Sequence, residues 1–259
     1  MSYENLVLEK GEDHVGIITL NRPDRLNTFT SQTATEVQKA LLEMESDPEV
    51  RVILLRGEGK AFCAGIDVTE MEGLSPNQLK SWVEHMETPL VTMSKLCKPV
   101  MVSVRGVAAA NGGGLVAAAD LAIVSSKARI GFTAVNVGLF CLGPAVPLFR
   151  MVGRKRALEL LFYGELINAD KAYEMGLVNK VVPEEDLDQE AREWAAKLAA
   201  KSPVAVQLSK RALYATADMD YVSSFDFMNE AFARLCTTED AKEGVAAFLE
   251  KRDPQWKGC

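Results

Sequence analysis

The chain has 259 residues, 48% hydrophobic and 25% charged, and its 29 Lys+Arg against 36 Asp+Glu leave a formal charge of −7. This balance excludes wholesale disorder and a fibrous chain, and it supplies no bulk attraction toward nucleic acid or anionic lipid, so an anionic ligand would need a local group of cations. Two histidines, His14 and His85, and five scattered cysteines without a Cys-x-x-Cys pair argue against a metal site; with no leader-like start, they predict a reducing, cytoplasmic setting.

Residues 15–20 read as a buried strand closed by an Asn-Arg-Pro-Asp turn at 21–24. Val37, Ala40, Leu41 and Met44 then recur at i, i+3, i+4 and i+7, a helical stripe that Asp47 and Pro48 stop. Residues 52–55 read as a second strand, and Trp82, Val83 and Met86 as a shorter stripe. Lys98 and Pro99 open a strand at 100–104, and further strands follow at 121–124 and 178–182. The alternation predicts an α/β fold. The apolar stretch 100–124 is broken by Arg105, by glycines and by Asp120, so no membrane span is expected. After Pro183 only helical stripes remain: Ala191, Trp194, Ala195 and Leu198, then Phe225, Met228, Phe232 and Leu235. The chain therefore divides into an α/β part, 1–183, and a helical part, 184–259, whose apolar stripes need the core or another subunit to cover them.

Three segments could carry chemistry. In 60–67 (Lys-Ala-Phe-Cys-Ala-Gly-Ile-Asp), Gly65 allows a sharp turn that aims backbone N–H groups into a cleft; equally, the segment is a plain strand-to-helix connection with Asp67 as a cap. In 106–115, three consecutive glycines among alanines permit a ligand to approach a helix N-terminus closely, or permit tight packing alone. The segment 130–144 sets Thr133, Asn136 and Cys141 in an apolar, glycine-containing loop suited to lining a pocket. Cys141 reads as a small core residue and not a nucleophile, and His85, between Glu84 and Glu87, as a surface residue.

Taken together, these segments resemble the crotonase (enoyl-CoA hydratase/isomerase) superfamily. The resemblance runs from 21–27 through 61–67, Lys98 and Pro99, 106–120 and 136–138 to 164–169, Gly176 and Leu177, and 248–252. It implies a spiral of ββα turns with a helical C-terminal region that mediates trimerisation, commonly into a dimer of trimers. It further implies an acyl-CoA thioester substrate, with coenzyme A as part of the substrate and no separate cofactor. The thioester oxygen would be held by the backbone N–H groups of Ile66 and Asn111. By position, Asp24, Arg25 and Leu26 would meet the CoA end, joined by Phe248 and Lys251 from a neighbouring subunit. Ala64, Asp67, Val68, Thr133, Asn136, Phe140 and Cys141 would surround the substrate. Met71, Leu74, Trp82, Met86 and Leu142 are further wall candidates.

One departure is large. The family's hydratases use two glutamates, and the matching positions here are Gly114 and Ala134, neither of which can move a proton. Three readings follow from the resemblance. One is a hydratase/isomerase-like enzyme whose base is His85, Glu84 or Glu87. The second is a decarboxylase of malonyl-type CoA esters, because the 133–138 loop resembles that of methylmalonyl-CoA decarboxylases. The third is a catalytically weak acyl-CoA-binding subunit.

Overall fold

The computed structural model describes residues 3–259, and within them two sheets are wound into one spiral. The first hairpin pairs β1 (Leu6–Lys10) antiparallel to β2 (Val15–Leu20), and α1 (Ser31–Ser46) follows. Three turns then repeat one plan, a strand for the large sheet, a strand for the small sheet, and a helix. They are β3 (Val52–Gly57), β4 (Ala61–Cys63) and α2 (Pro76–Lys95); β5 (Val100–Val104), β6 (Val107–Ala109) and α3 (Asn111–Ala118); and β7 (Leu121–Ser125), β8 (Arg129–Gly131) and α4 (Leu142–Val152). Next come α5 (Arg154–Tyr163), β9 (Leu166–Asn168), α6 (Ala169–Glu174) and β10 (Lys180–Val182). The chain continues through α7 (Leu187–Ala199), α8 (Pro203–Thr216), α9 (Tyr221–Cys236) and α10 (Glu239–Glu250). The large sheet has the order β1-β2-β3-β5-β7-β10 and the small one β4-β6-β8-β9.

The hydrophobic pattern explains this layering. Strand β2 is buried along its whole length, as parallel strands covered on both faces must be. Ile18, Ile53, Leu55 and Val102 face α1 and α2 in the main core, where Val37, Ala40, Leu41 and Met44 are fully buried as their spacing requires. Ile17, Leu54, Met101 and Ile123 face the other way, onto Leu187, Ala191 and Ala195 of α7. Val83, expected on the inner stripe of α2, turns outward instead, because Trp82 and Met86 already fill that face. The predicted strand at 178–182 begins only at Lys180.

A buried ion pair fastens the helical tail to the spiral. Lys210 Nζ of α8 donates to Asp120 Oδ2 (2.7 Å) and to the carbonyls of Met93 and Lys98 (3.0 Å each). Asp120 also accepts from Val100 N and from the Tyr214 hydroxyl, so every polar group in the cluster is paired. By contrast, α9 has no residue buried within the chain, and Tyr221, Val222, Phe225 and Phe232 lie exposed along it.

Candidate active site

The register of the small sheet assembles the site. Parallel pairing sets Cys63 of β4 beside Ala108 of β6, and Ala109 of β6 beside Gly131 of β8. The residues that follow these strand ends, Ile66, Asn111 and Ala134, therefore emerge at the carboxyl edge of one sheet, the usual place for a ligand in parallel α/β folds. Gly65 turns there with φ 110°, and Ile66 forms a parallel bridge to Phe29. Gly112 lets α3 begin directly on β4: a Cβ at this position would stand 2.2 Å from the Cys63 carbonyl oxygen. Among the described residues, neither Ile66 N nor Asn111 N has a hydrogen-bond acceptor, although Phe29 N, Asp67 N and Ala110 N beside them are all paired.

Ala110 marks the site by its backbone. It holds φ 48° and ψ −109° immediately before α3, a conformation that costs a residue with a side chain about 1–3 kcal/mol. The Asn111 side chain does not reach toward the cleft; its Nδ2 donates to the Met86 carbonyl of α2 (3.4 Å).

The two positions that lack glutamate are filled by other groups. A Cβ on Gly114 would lie 2.9 Å from the Pro144 ring and 3.4 Å from Leu90 Cδ1, so α4 and α2 close on that point. Beside Ala134, the buried Cys141 thiol approaches the Ala134 backbone, and burial pushes its pKa up. The ionisable groups of α2 separate clearly. Glu84 pairs with Lys80 in solvent. His85 is half-buried, not a surface residue: its Nε2 lies 3.0 Å from both Thr35 Oγ1 and Ser31 O, which holds it against α1. Glu87 points to α4, where its carboxylate occupies the space a Gly143 side chain would need, and burial raises its pKa. Glu87 also lines a cavity of about 540 Å³ with Leu90, Ala117, Val146, Met151 and Leu213, further along α3 than the two free N–H groups.

The remaining site candidates fall into several groups. Asp24, Arg25 and Leu26 lie exposed on a 3₁₀ turn, which Ala64 N joins to the Ile66 segment by donating to Leu26 O (3.0 Å). Asp67 caps the 3₁₀ turn Val68–Met71, and its carboxyl is held below the usual range by the Thr69 hydroxyl. Val68 is exposed, while Met71 and Leu74 pack on the core. Thr133 opens the 3₁₀ turn Thr133–Val137, and Asn136 ties that turn down by donating to Gly164 O (2.9 Å). Phe140 is half-buried against Phe162, and Leu142 is exposed. Phe248 and Lys251 stand exposed at the end of α10. Sequence reasoning missed Pro144 and Glu70. The partners of Glu70 lie 39 and 12 residues away, at Ser31 and Trp82, so no local pattern announces it. No group of three or more His, Cys, Asp or Glu among the described residues could hold a metal ion.

A family model described as enoyl-CoA hydratase/isomerase matches residues 10–259. The chain belongs to the enoyl-CoA hydratase/isomerase family. It is 37% identical to a short-chain-enoyl-CoA hydratase of Clostridium acetobutylicum, over 97% of each chain. It is also 34% identical to the mitochondrial enoyl-CoA hydratase domain-containing protein 3 of Rattus norvegicus, over 98% of this chain and 85% of that one. Among solved structures, an enoyl-CoA hydratase of Mycobacterium smegmatis superposes with a TM-score of 0.94 at 37% identity, covering 98% of this chain and 99% of that one. Human enoyl-CoA hydratase domain-containing protein 3 superposes at 0.91 and 33% identity, covering 98% and 100%. The family's spiral and its helical C-terminal region are thus present as the sequence motifs implied.

Proposed function

We propose that the chain binds an acyl-CoA thioester and stabilises its enolate between the N–H groups of Ile66 and Asn111, with acid–base chemistry other than the family's glutamate pair. The observation that carries this reading is that two backbone donors without acceptors, Ile66 N and Asn111 N, emerge at one sheet edge set by the β4–β6 register, next to Asp67 N and Ala110 N, which are paired. Donors held in place before the reaction favour charge as it develops on the thioester oxygen, and removing one such donor typically costs about 2.7–4 kcal/mol. In this scheme a base takes the Cα proton, the C–H electron pair forms the C=C bond of the enolate as the carbonyl π pair moves onto oxygen, and the two N–H groups donate hydrogen bonds to the resulting oxyanion. Of the groups on α2, Glu87 is the one whose carboxyl faces α4, at Gly143 next to the Pro144 that closes on Gly114, and burial raises its pKa above the ordinary carboxylate value.

Decarboxylation of a malonyl-type CoA ester is the second reading. It is favoured by the apolar filling of both glutamate positions, by Pro144 and Leu90 at Gly114 and by Cys141 at Ala134, since loss of CO₂ needs the enolate hole and no base. Homotrimeric assembly belongs to the same proposal, supported by the uncovered apolar residues of α9. So does a reducing compartment: all five cysteines are free, which fits a cytoplasmic protein as well as the mitochondrial setting in the rat relative's name.

Mass spectrometry of butyryl-CoA incubated with the protein in D₂O tests the reading. Catalysed deuterium uptake at Cα supports it, and uptake no faster than in buffer overturns it. Parallel incubations with crotonyl-CoA and methylmalonyl-CoA separate hydration from CO₂ release, and a rise in melting temperature with no turnover identifies a binding subunit.

A further inference from the structure

The segment that carries the Ile66 N–H is anchored at both ends to one neighbour. At its start, Phe29 N donates to Gly65 O and Asp67 N to Phe29 O, both at 2.8 Å. At its end, Glu70 reaches Ser31, two residues beyond Phe29: Oε2 accepts from Ser31 N (3.0 Å) and from Ser31 Oγ (2.7 Å), and Oε1 accepts from Ser31 N (3.2 Å). Ser31 is the first residue of α1, so the carboxylate meets a helix N-terminus, where negative charge is favoured. The same Oε2 accepts from Trp82 Nε1 of α2 (3.0 Å). Burial pushes the Glu70 pKa up, but the bonds from Trp82 and Ser31 outweigh it and leave the carboxyl below its ordinary value. Four residues beyond Trp82 on the same helix, the Met86 carbonyl takes the Asn111 side-chain amide. One carboxylate thereby joins the segment of the first donor to the helix that braces the second.

We propose that Glu70 is a positioning residue for the acyl site, fixing the Ile66 N–H relative to the Asn111 N–H so that both reach one oxygen. This rests on the enolate reading above. Two donors act together only when they are held within a few tenths of an ångström, and a charged oxygen gains more from the second donor than a neutral carbonyl does. Loosening the anchor therefore weakens recognition of the enolate more than recognition of the ground-state ester.

Acetoacetyl-CoA is the probe, because its enolate is visible in the near ultraviolet whether or not the protein turns anything over. In the wild-type protein, bound acetoacetyl-CoA ionises at lower pH than the free ester. In Glu70→Gln the bound enolate fraction at fixed pH falls about tenfold, while the Kd for butyryl-CoA stays within about threefold of wild type. Trp82→Phe, which removes only the indole donor, shifts the enolate fraction the same way by less, and it carries the test should Glu70→Gln not fold. Wild-type enolate fractions in both variants, or equal losses for enolate and ester, overturn the positioning role. A wild-type protein that leaves acetoacetyl-CoA ionisation unchanged overturns the enolate reading itself, and the positioning role with it.

Discussion

Replacing Ala110 by glycine tests the strain at the head of α3. Ala110 has φ 48° and ψ −109°, close to a region that glycine enters freely. Relief of about 1–3 kcal/mol of strain is offset by about 0.5–1 kcal/mol of extra chain entropy that glycine loses on folding. The Ala110 methyl is half-buried against the core beside Gly65, so its removal adds a small packing loss to that offset. The net gain is at most about 2.5 kcal/mol, which for a chain of this size raises Tm by up to roughly 10 °C. Calorimetry of both proteins at matched concentration and pH reads the shift. The same substitution frees the Asn111 N–H to wander, so the bound acetoacetyl-CoA enolate fraction should fall while stability rises. A variant that melts below wild type would refute the strain assignment, and one that binds the enolate better would refute the role of Ala110 in holding the donor.

Three further outcomes are expected. Lys210→Met leaves the Asp120 carboxylate without its buried cation, where the two side chains are only 6% and 17% exposed, and should cost about 3–5 kcal/mol in urea unfolding. Gly114→Glu should destabilise by about 1–3 kcal/mol, because Pro144 occupies the space, and should not create crotonyl-CoA hydration; a gain in hydration contradicts the packing account. Burial raises the Glu87 pKa above its ordinary 4.5, so the native state holds that proton more tightly and stability falls as pH rises from 4.5 through the native pKa. Glu87→Gln should therefore raise Tm at neutral pH, lose that advantage below about pH 4.5, and abolish Cα exchange; exchange at the wild-type rate removes Glu87 from the mechanism.

Much of the spiral was legible because its strands are buried on both faces and its first helix keeps a strict stripe through Val37, Ala40, Leu41 and Met44. The very short strands β4, β6, β8 and β9, three residues each, carry no period of their own and exist through pairing, so they could not be read locally. The site was half legible. Gly65 and the glycines after Asn111 signalled close backbone approach, and the structure puts both amides at one sheet edge. What replaced the glutamates was not visible: Pro144 meets Gly114 only after α4 folds back over α3, and Glu70 finds Ser31 only across the spiral. His85 misled for the same reason, since its partners Ser31 and Thr35 lie 54 and 50 residues away.

The most direct measurement is a structure of the protein with butyryl-CoA bound. The account predicts that the thioester oxygen lies about 2.7–3.1 Å from both Ile66 N and Asn111 N. A thioester oxygen that meets water or a side chain, with either amide still unpaired, would contradict it.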